Sequence, residues 1–272
     1  MKNARLRTQP LLALLILFSL TAFGAKAQDT GSEFLSDLHD FRINNYLALD
    51  SLYAFSAAGD SEALNRIVES INASNDAMNS IITSTSGALT EQQVESLNQE
   101  FDVFKDLMRG NINEVREQGY PDLRLMADLA DNAMKLNIIA TDLYSVALDN
   151  SNAPTDARIE SARSAAVVMA QMMARYSART HSSVAQTFQG SSDEAPLDQQ
   201  ALQFDSLLAQ LQTGSANRQL KSAIDDVSSK WQFIRGSYIN YNENNVSFVI
   251  DRYSKGIIRG LTTTIVLLQN NV

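Results

Sequence analysis

Cysteine is absent from this chain, and histidine occurs only twice, at His39 and His181. The first absence excludes disulfides, thiolate chemistry and a lipidated N-terminal cysteine. The second leaves any zinc site to be built from carboxylates, and both histidines read as surface or capping residues. Glu-x-x-His pairs, which hold di-iron centres in helical bundles, do not occur. Nor does a Gly-x-Ser-x-Gly elbow, a phosphate loop or a dinucleotide fingerprint. Only four prolines and 11 glycines punctuate the chain, and strand-like β-branched runs are nearly missing. These absences predict a protein that is not an enzyme and carries neither cofactor nor metal.

What is present begins with a leader pattern. Lys2, Arg5 and Arg7 precede the apolar run Leu11 to Phe18, and Ala25-Lys26-Ala27 forms a small-x-small site before Gln28. This layout predicts a signal peptide over residues 1–27, cleaved after Ala27. Export without disulfides then points to the periplasm of a Gram-negative cell. Ile257 to Leu268 is interrupted by Arg259, Gly260 and three threonines, and it is too short to span a bilayer. No stable membrane span is expected after cleavage. Loss of the leader leaves 18 cations against 31 acids and moves the net charge from −9 to −13. That charge excludes nucleic acid as a partner and opposes binding to an anionic membrane face.

The rest of the chain reads almost entirely at helical period, predicting eight helices. Leu35, Leu38, Phe41, Leu49 and Leu52 mark the first, with Arg42 and Asn45 breaking its stripe. Ile67, Ile71 and Met78 belong to the second, which the Ser84 to Gly87 cluster ends. Thr90 opens the third with a capping box to Gln93, and its seam runs through Val94, Leu97, Phe101, Phe104, Met108 and Val115. Gly119-Tyr120-Pro121 breaks the chain, with Pro121 placed for a first helical position. Leu123 to Leu148 carries the fourth helix. Two more seams, Ile224 to Tyr241 and Val246 to Leu268, follow a short helix at Leu202 to Leu211. The expected fold is all-α, an elongated antiparallel arrangement of two four-helix bundles in tandem. Residues 28–150 would form the first bundle and 151–272 the second. Arg109-Gly110-Asn111 recurs loosely as Arg235-Gly236-Ser237, 126 residues on, which hints at duplication. In that picture the fourth and fifth helices join the bundles end to end.

The fifth helix, Thr155 to Phe188, is the stretch around which the chain is arranged. It has neither Pro nor Gly and is rich in Ala, Met, Arg, Gln and Ser, a composition that favours one long helix. Thr155 would cap it, and a polar loop from Gln189 to Pro196 would follow. Gln171, Arg175 and Arg179 share a face at i, i+4 and i+8, with Arg163 eight residues before Gln171. Such a row suits a carboxylate or small oxyanion, because guanidinium forks match those groups. Arg163, Gln171, Arg175 and Arg179 are therefore the candidate ligand-binding residues. A solvated stripe paired with the many acids is the plainer account of the same four. Met169, Met172 and Met173 read as adaptable core, as does Trp231 on its seam.

Val168-Met169-Ala170-Gln171-Met172-Met173-Ala174-Arg175-Tyr176 resembles the second half of a helix reading A-G-R-Q-R-M-L-S-Q-R-I-A-K. That helix belongs to the N-terminal sensor domain of type IV pilus methyl-accepting chemotaxis transducers, the PilJ-type domain, related to nitrate and nitrite receptors. The resemblance implies tandem helical bundles and a sensor role. The family's G-R-Q-R portion falls on Ser164 to Val167, and Met172 stands where an arginine would follow Gln171. Those arginines bind the anion in nitrate-sensing relatives, so nitrate recognition is not implied. Such a receptor would continue into a second membrane span and a signalling module. Neither precedes Val272, and signalling across the membrane in cis is not expected. The leading expectation is a periplasmic sensor-like protein that binds a small-molecule ligand, a membrane or envelope protein partner, or both. The alternative is a structural or chaperone-like envelope protein with an exposed apolar helical face and no small ligand.

Overall fold

The computed structural model describes residues 22–84, 86–151, 156–181, 195–241 and 246–270, with side chains from Gly31 onward. Most of the expected leader lies outside these residues. So do Thr155, the turns from Ser182 to Phe188, the loop up to Glu194 and the Asn-rich turn at 242–245. Eight α-helices and no strand occur among the described residues, and the protein is all-α. They are α1 (Ala22–Ala58), α2 (Ser61–Thr83), α3 (Glu91–Gln118), α4 (Leu123–Asn150), α5 (Ala157–His181), α6 (Leu197–Leu211), α7 (Arg218–Ile239) and α8 (Ser247–Gln269). None is long and apolar enough to cross a membrane.

Local chemistry sets the helix ends. Thr90 Oγ1 accepts from the Gln93 amide at 3.3 Å while Gln93 Oε1 accepts from the Thr90 amide at 2.9 Å, closing the expected capping box. Gly119 ends α3 at φ 82°, a left-handed conformation that favours glycine. Pro121 does not take the first helical position. Asp122 follows it as the N-cap of α4, accepting from the Arg124 and Leu125 amides at 2.8 and 2.9 Å. Its carboxylate satisfies two of the amide donors that a helix start leaves open.

Helix α1 packs along α2, α4 and α5, and α4 packs along α3. Helix α5 packs along α1, α6 and α8, and α8 packs along α7. Smaller contacts link α2 to α3 and α6 to α7, so the neighbour order of α1–α4 recurs in α5–α8. The two sets meet along α1 and α5, rather than through an end-to-end junction of α4 and α5. Arg163 donates to Ser36 and Ser177 donates to Asp50, each across 127 residues. A constant offset means that α1 and α5 run parallel in a single register. It differs by one from the 126-residue spacing of the sequence repeat. The glycines of that repeat are not equivalent in packing. A Cβ on Gly110 would lie 3.2 Å from Leu125, whereas one on Gly236 would meet nothing within 4 Å.

Being central dictates composition. Fifteen of the 25 residues of α5 are buried, on all sides of the helix, because α1, α6 and α8 surround it. Ala and Ser let three neighbours approach closely, and Met169, Met172 and Met173 fill the gaps as core. Aromatic contacts anchor both sets. Phe101 packs edge-on against Phe41, with ring centroids 5.0 Å apart, and Trp231 lies 4.5 Å from Phe204 and 5.9 Å from Tyr238. Trp231 is core, and its indole N–H donates to Asp205 at 2.7 Å, a carboxylate also gripped by Arg235 at 2.7 Å.

Candidate functional site

With α2, α4 and α5 all against it, α1 keeps little solvent face, and several of its polar residues lie inside. Arg42 is 6% exposed, His39 4%, Asp50 3% and Asn45 0%. His39 is therefore a core residue and not a surface or capping one. Burial, with Arg163 and Arg42 nearby, pushes its imidazole well below the ordinary histidine range and keeps it neutral. Its Nδ1 and both amide atoms of Asn45 have no hydrogen-bond partner within the protein. Unpaired buried polar atoms cost stability unless a buried water pairs them.

Arg163 and Arg42 lie in the same region with opposite fates. Arg163 is 2% exposed and engaged from three sides. It donates to the Tyr144 hydroxyl at 3.0 Å, Glu160 Oε1 at 3.1 Å and Ser36 Oγ at 3.0 Å. The Tyr144 hydroxyl in turn donates to Glu160 Oε2 at 2.6 Å. This knot ties α1, α4 and α5 together. Arg42 donates from Nε to Thr141 Oγ1 at 3.2 Å and lies over the Tyr144 ring at 4.7 Å. No carboxylate among the described residues comes within ion-pair distance of it. Burial pushes its guanidinium down from the ordinary value; Tyr144, Tyr46 and Glu160 act the other way, and Arg163 adds to the drop. An arginine stays charged through such a shift.

Arg42 lines a groove of about 460 Å³ between α1, α4, α5 and the start of α6. Asn137, Thr141 and Asp142 supply its polar wall from α4, Gln171 lines it from α5, and Gln200 from α6. Val167 and Val168 form an apolar wall. The groove thus has the mixed lining of a small-molecule site. Asn137 donates from Nδ2 to the Ala133 carbonyl at 2.9 Å, and its buried Oδ1 has no partner. The buried Gln200 Oε1 has none either.

Of the four expected site residues, the structure places only Gln171 in this groove. Arg163 belongs to the adjoining knot. Arg175 donates to the carbonyl of Ala195 just ahead of α6, and Arg179 lies over the Tyr241 ring at 4.7 Å. Sharing a helical face did not bring them to one ligand, because that face crosses several neighbours. Arg42, Asn137 and Gln200 lie on other helices, outside that row. The signal for Arg42 was in the sequence, as a break in the apolar stripe of α1.

A second polar cluster sits where α1, α5 and α8 meet. Asp50 accepts from Ser177 and faces Lys255 at 4.0 Å. Burial pushes its carboxyl up to about 6, with Asp251 adding to the rise; Lys255, Ser177 and Arg66 oppose it. Among the described residues no group of three His, Cys, Asp or Glu side chains is placed to hold a metal ion.

Compared with protein-family profiles, curated proteins and solved structures, the chain matches none of them.

Proposed function

We propose that this is a non-enzymatic, exported helical-bundle protein of PilJ-like sensor type. It binds a small polar ligand in the groove between α1, α4, α5 and α6 and presents the bound state to a membrane or envelope partner protein. The observation that carries this reading is Arg42, a buried cation with no carboxylate of its own, lining a groove of ligand size. A charge buried without a counter-ion is costly, and an acceptor group on a ligand offsets that cost. The arrangement also supplies a relay. Helices α1 and α5 belong to different sets of four, read here as two bundles packed side by side, and both wall the groove. A ligand touching both biases their relative position in proportion to its differential affinity for the alternatives. The Met-rich face of α5 is buried, so it offers no apolar surface of the sort a chaperone-like protein would present.

The test is a thermal-shift screen of the exported chain against small anions, amino acids, purines and metals. Ligand at a hundredfold excess over Kd adds about 2.7 kcal/mol, or roughly 5–10 °C for a protein of this size. The expected result is a hit that Arg42→Ala abolishes. Hits insensitive to Arg42→Ala, or silence across the library, would contradict the groove reading and redirect the search to a protein partner.

A further inference from the structure

The groove is lined by donor and acceptor groups. Its donor is the Arg42 guanidinium, which donates from Nε to the Thr141 hydroxyl, lies over the Tyr144 ring and has no carboxylate partner among the described residues. Its acceptors are Asn137 Oδ1 and Gln200 Oε1, both buried and unpartnered. The orientation of the Asn137 amide is fixed: turning it over would set its oxygen against the Ala133 carbonyl that now receives its N–H at 2.9 Å. Asp142, exposed on the same wall, adds a carboxylate with no ion-pair partner among the described residues.

A simple anion would satisfy Arg42 but meet two carbonyl oxygens and a carboxylate on the facing walls. A simple cation would suit those oxygens and meet Arg42. A molecule that carries both an anionic and a cationic group answers both sets. We infer that the groove recognises a small zwitterion of the α-amino-acid class, its carboxylate on Arg42 and its ammonium toward Asn137, Gln200 and Asp142. The inference rests on the groove being the ligand site. Val167 and Val168 supply an apolar wall for the ligand's side chain, and about 460 Å³ holds a single amino acid with solvent.

The experiment is calorimetric titration of the full exported chain with each L-α-amino acid. Every binder is then compared with its α-hydroxy acid, which lacks the ammonium, and with its amine, which lacks the carboxylate. Sodium nitrate and acetate serve as simple anions. At least one amino acid is expected to bind, with both truncated analogues about tenfold weaker or worse, since each strands a charged partner. Asp142→Asn, on the exposed rim, should weaken the amino acid about fivefold and leave the hydroxy acid unchanged. Arg42→Lys, which keeps the charge and loses the fork, should weaken both. Equal binding of the hydroxy acid or of nitrate, lost in Arg42→Lys, would overturn the zwitterion while leaving the groove in place. Amino-acid binding unaffected by either variant would overturn the groove itself, and no binding by any amino acid would overturn the inference outright.

Discussion

At the scale of single residues, the interior charges of α1 set how the stability of the fold varies with pH. Asp50 has its carboxyl raised to about 6 by burial, above the value near 3.9 of an unfolded chain. A raised carboxyl favours the protonated form in the folded state. Its contribution is complete below about pH 4 and is lost as the pH rises through 6. A shift of this size corresponds to about 2–3 kcal/mol. Asp50→Asn should therefore exceed the wild type in urea unfolding by only about 1 kcal/mol at pH 4.5, where the unfolded carboxyl is already mostly ionised, and by up to about 2–3 kcal/mol at pH 7.5. A difference that does not change with pH would show that Asp50 is not held in this way. Some of this was legible beforehand and some was not. Arg42 and Asn45 stood out as breaks in the stripe, but a single helix pattern does not show what covers its other side. His39 was misplaced for the same reason, since α5, 127 residues away along the chain, supplies the cover that makes it core. Arg163, Gln171, Arg175 and Arg179 do share a helix, yet periodicity assigns a face and not the partners beyond it.

At the scale of helices, close approach decides which glycines matter. A Cβ on Gly260 of α8 would lie 2.6 Å from Val227 Cγ2 of α7, and Val227 is fully packed. Gly260→Ala should destabilise by about 1–3 kcal/mol through overpacking, despite the better helix propensity of alanine. Adding Val227→Ala should remove much of that penalty in a double-mutant cycle. Gly236→Ala meets open space and should stabilise by up to about 1 kcal/mol. The opposite pattern in chemical denaturation would refute the α7–α8 packing. Elements of this kind were the most readable part of the sequence. The apolar stripes, the Thr90–Gln93 box and the Gly119 stop follow from side-chain spacing and turn chemistry. The start of α4 was less readable, because Pro121 and Asp122 are adjacent and only the carboxylate can satisfy two amides at once.

At the scale of the whole molecule, short connections made helix neighbours predictable, whereas the parallel pairing of α1 with α5 had no local signature. That pairing creates the groove, since its walls come from α1, α4, α5 and α6, drawn from both sets of four helices. The groove's chemistry follows from two facts of placement: α1 is covered on nearly every side, and Arg42 lies within it without a carboxylate. The proposed sensor role needs no catalytic group. It needs a ligand whose contacts with α1 and α5 differ between two arrangements of the helices. The most direct test of this account is a side-chain nitrogen-15 spectrum of arginine-labelled protein, titrated with whichever compound gives the largest thermal shift. The Arg42 signal should move with saturating behaviour, while those of Arg175 and Arg179 stay in place. A saturating shift confined to Arg175 or Arg179, with Arg42 unmoved, would place the ligand outside the groove and contradict the account.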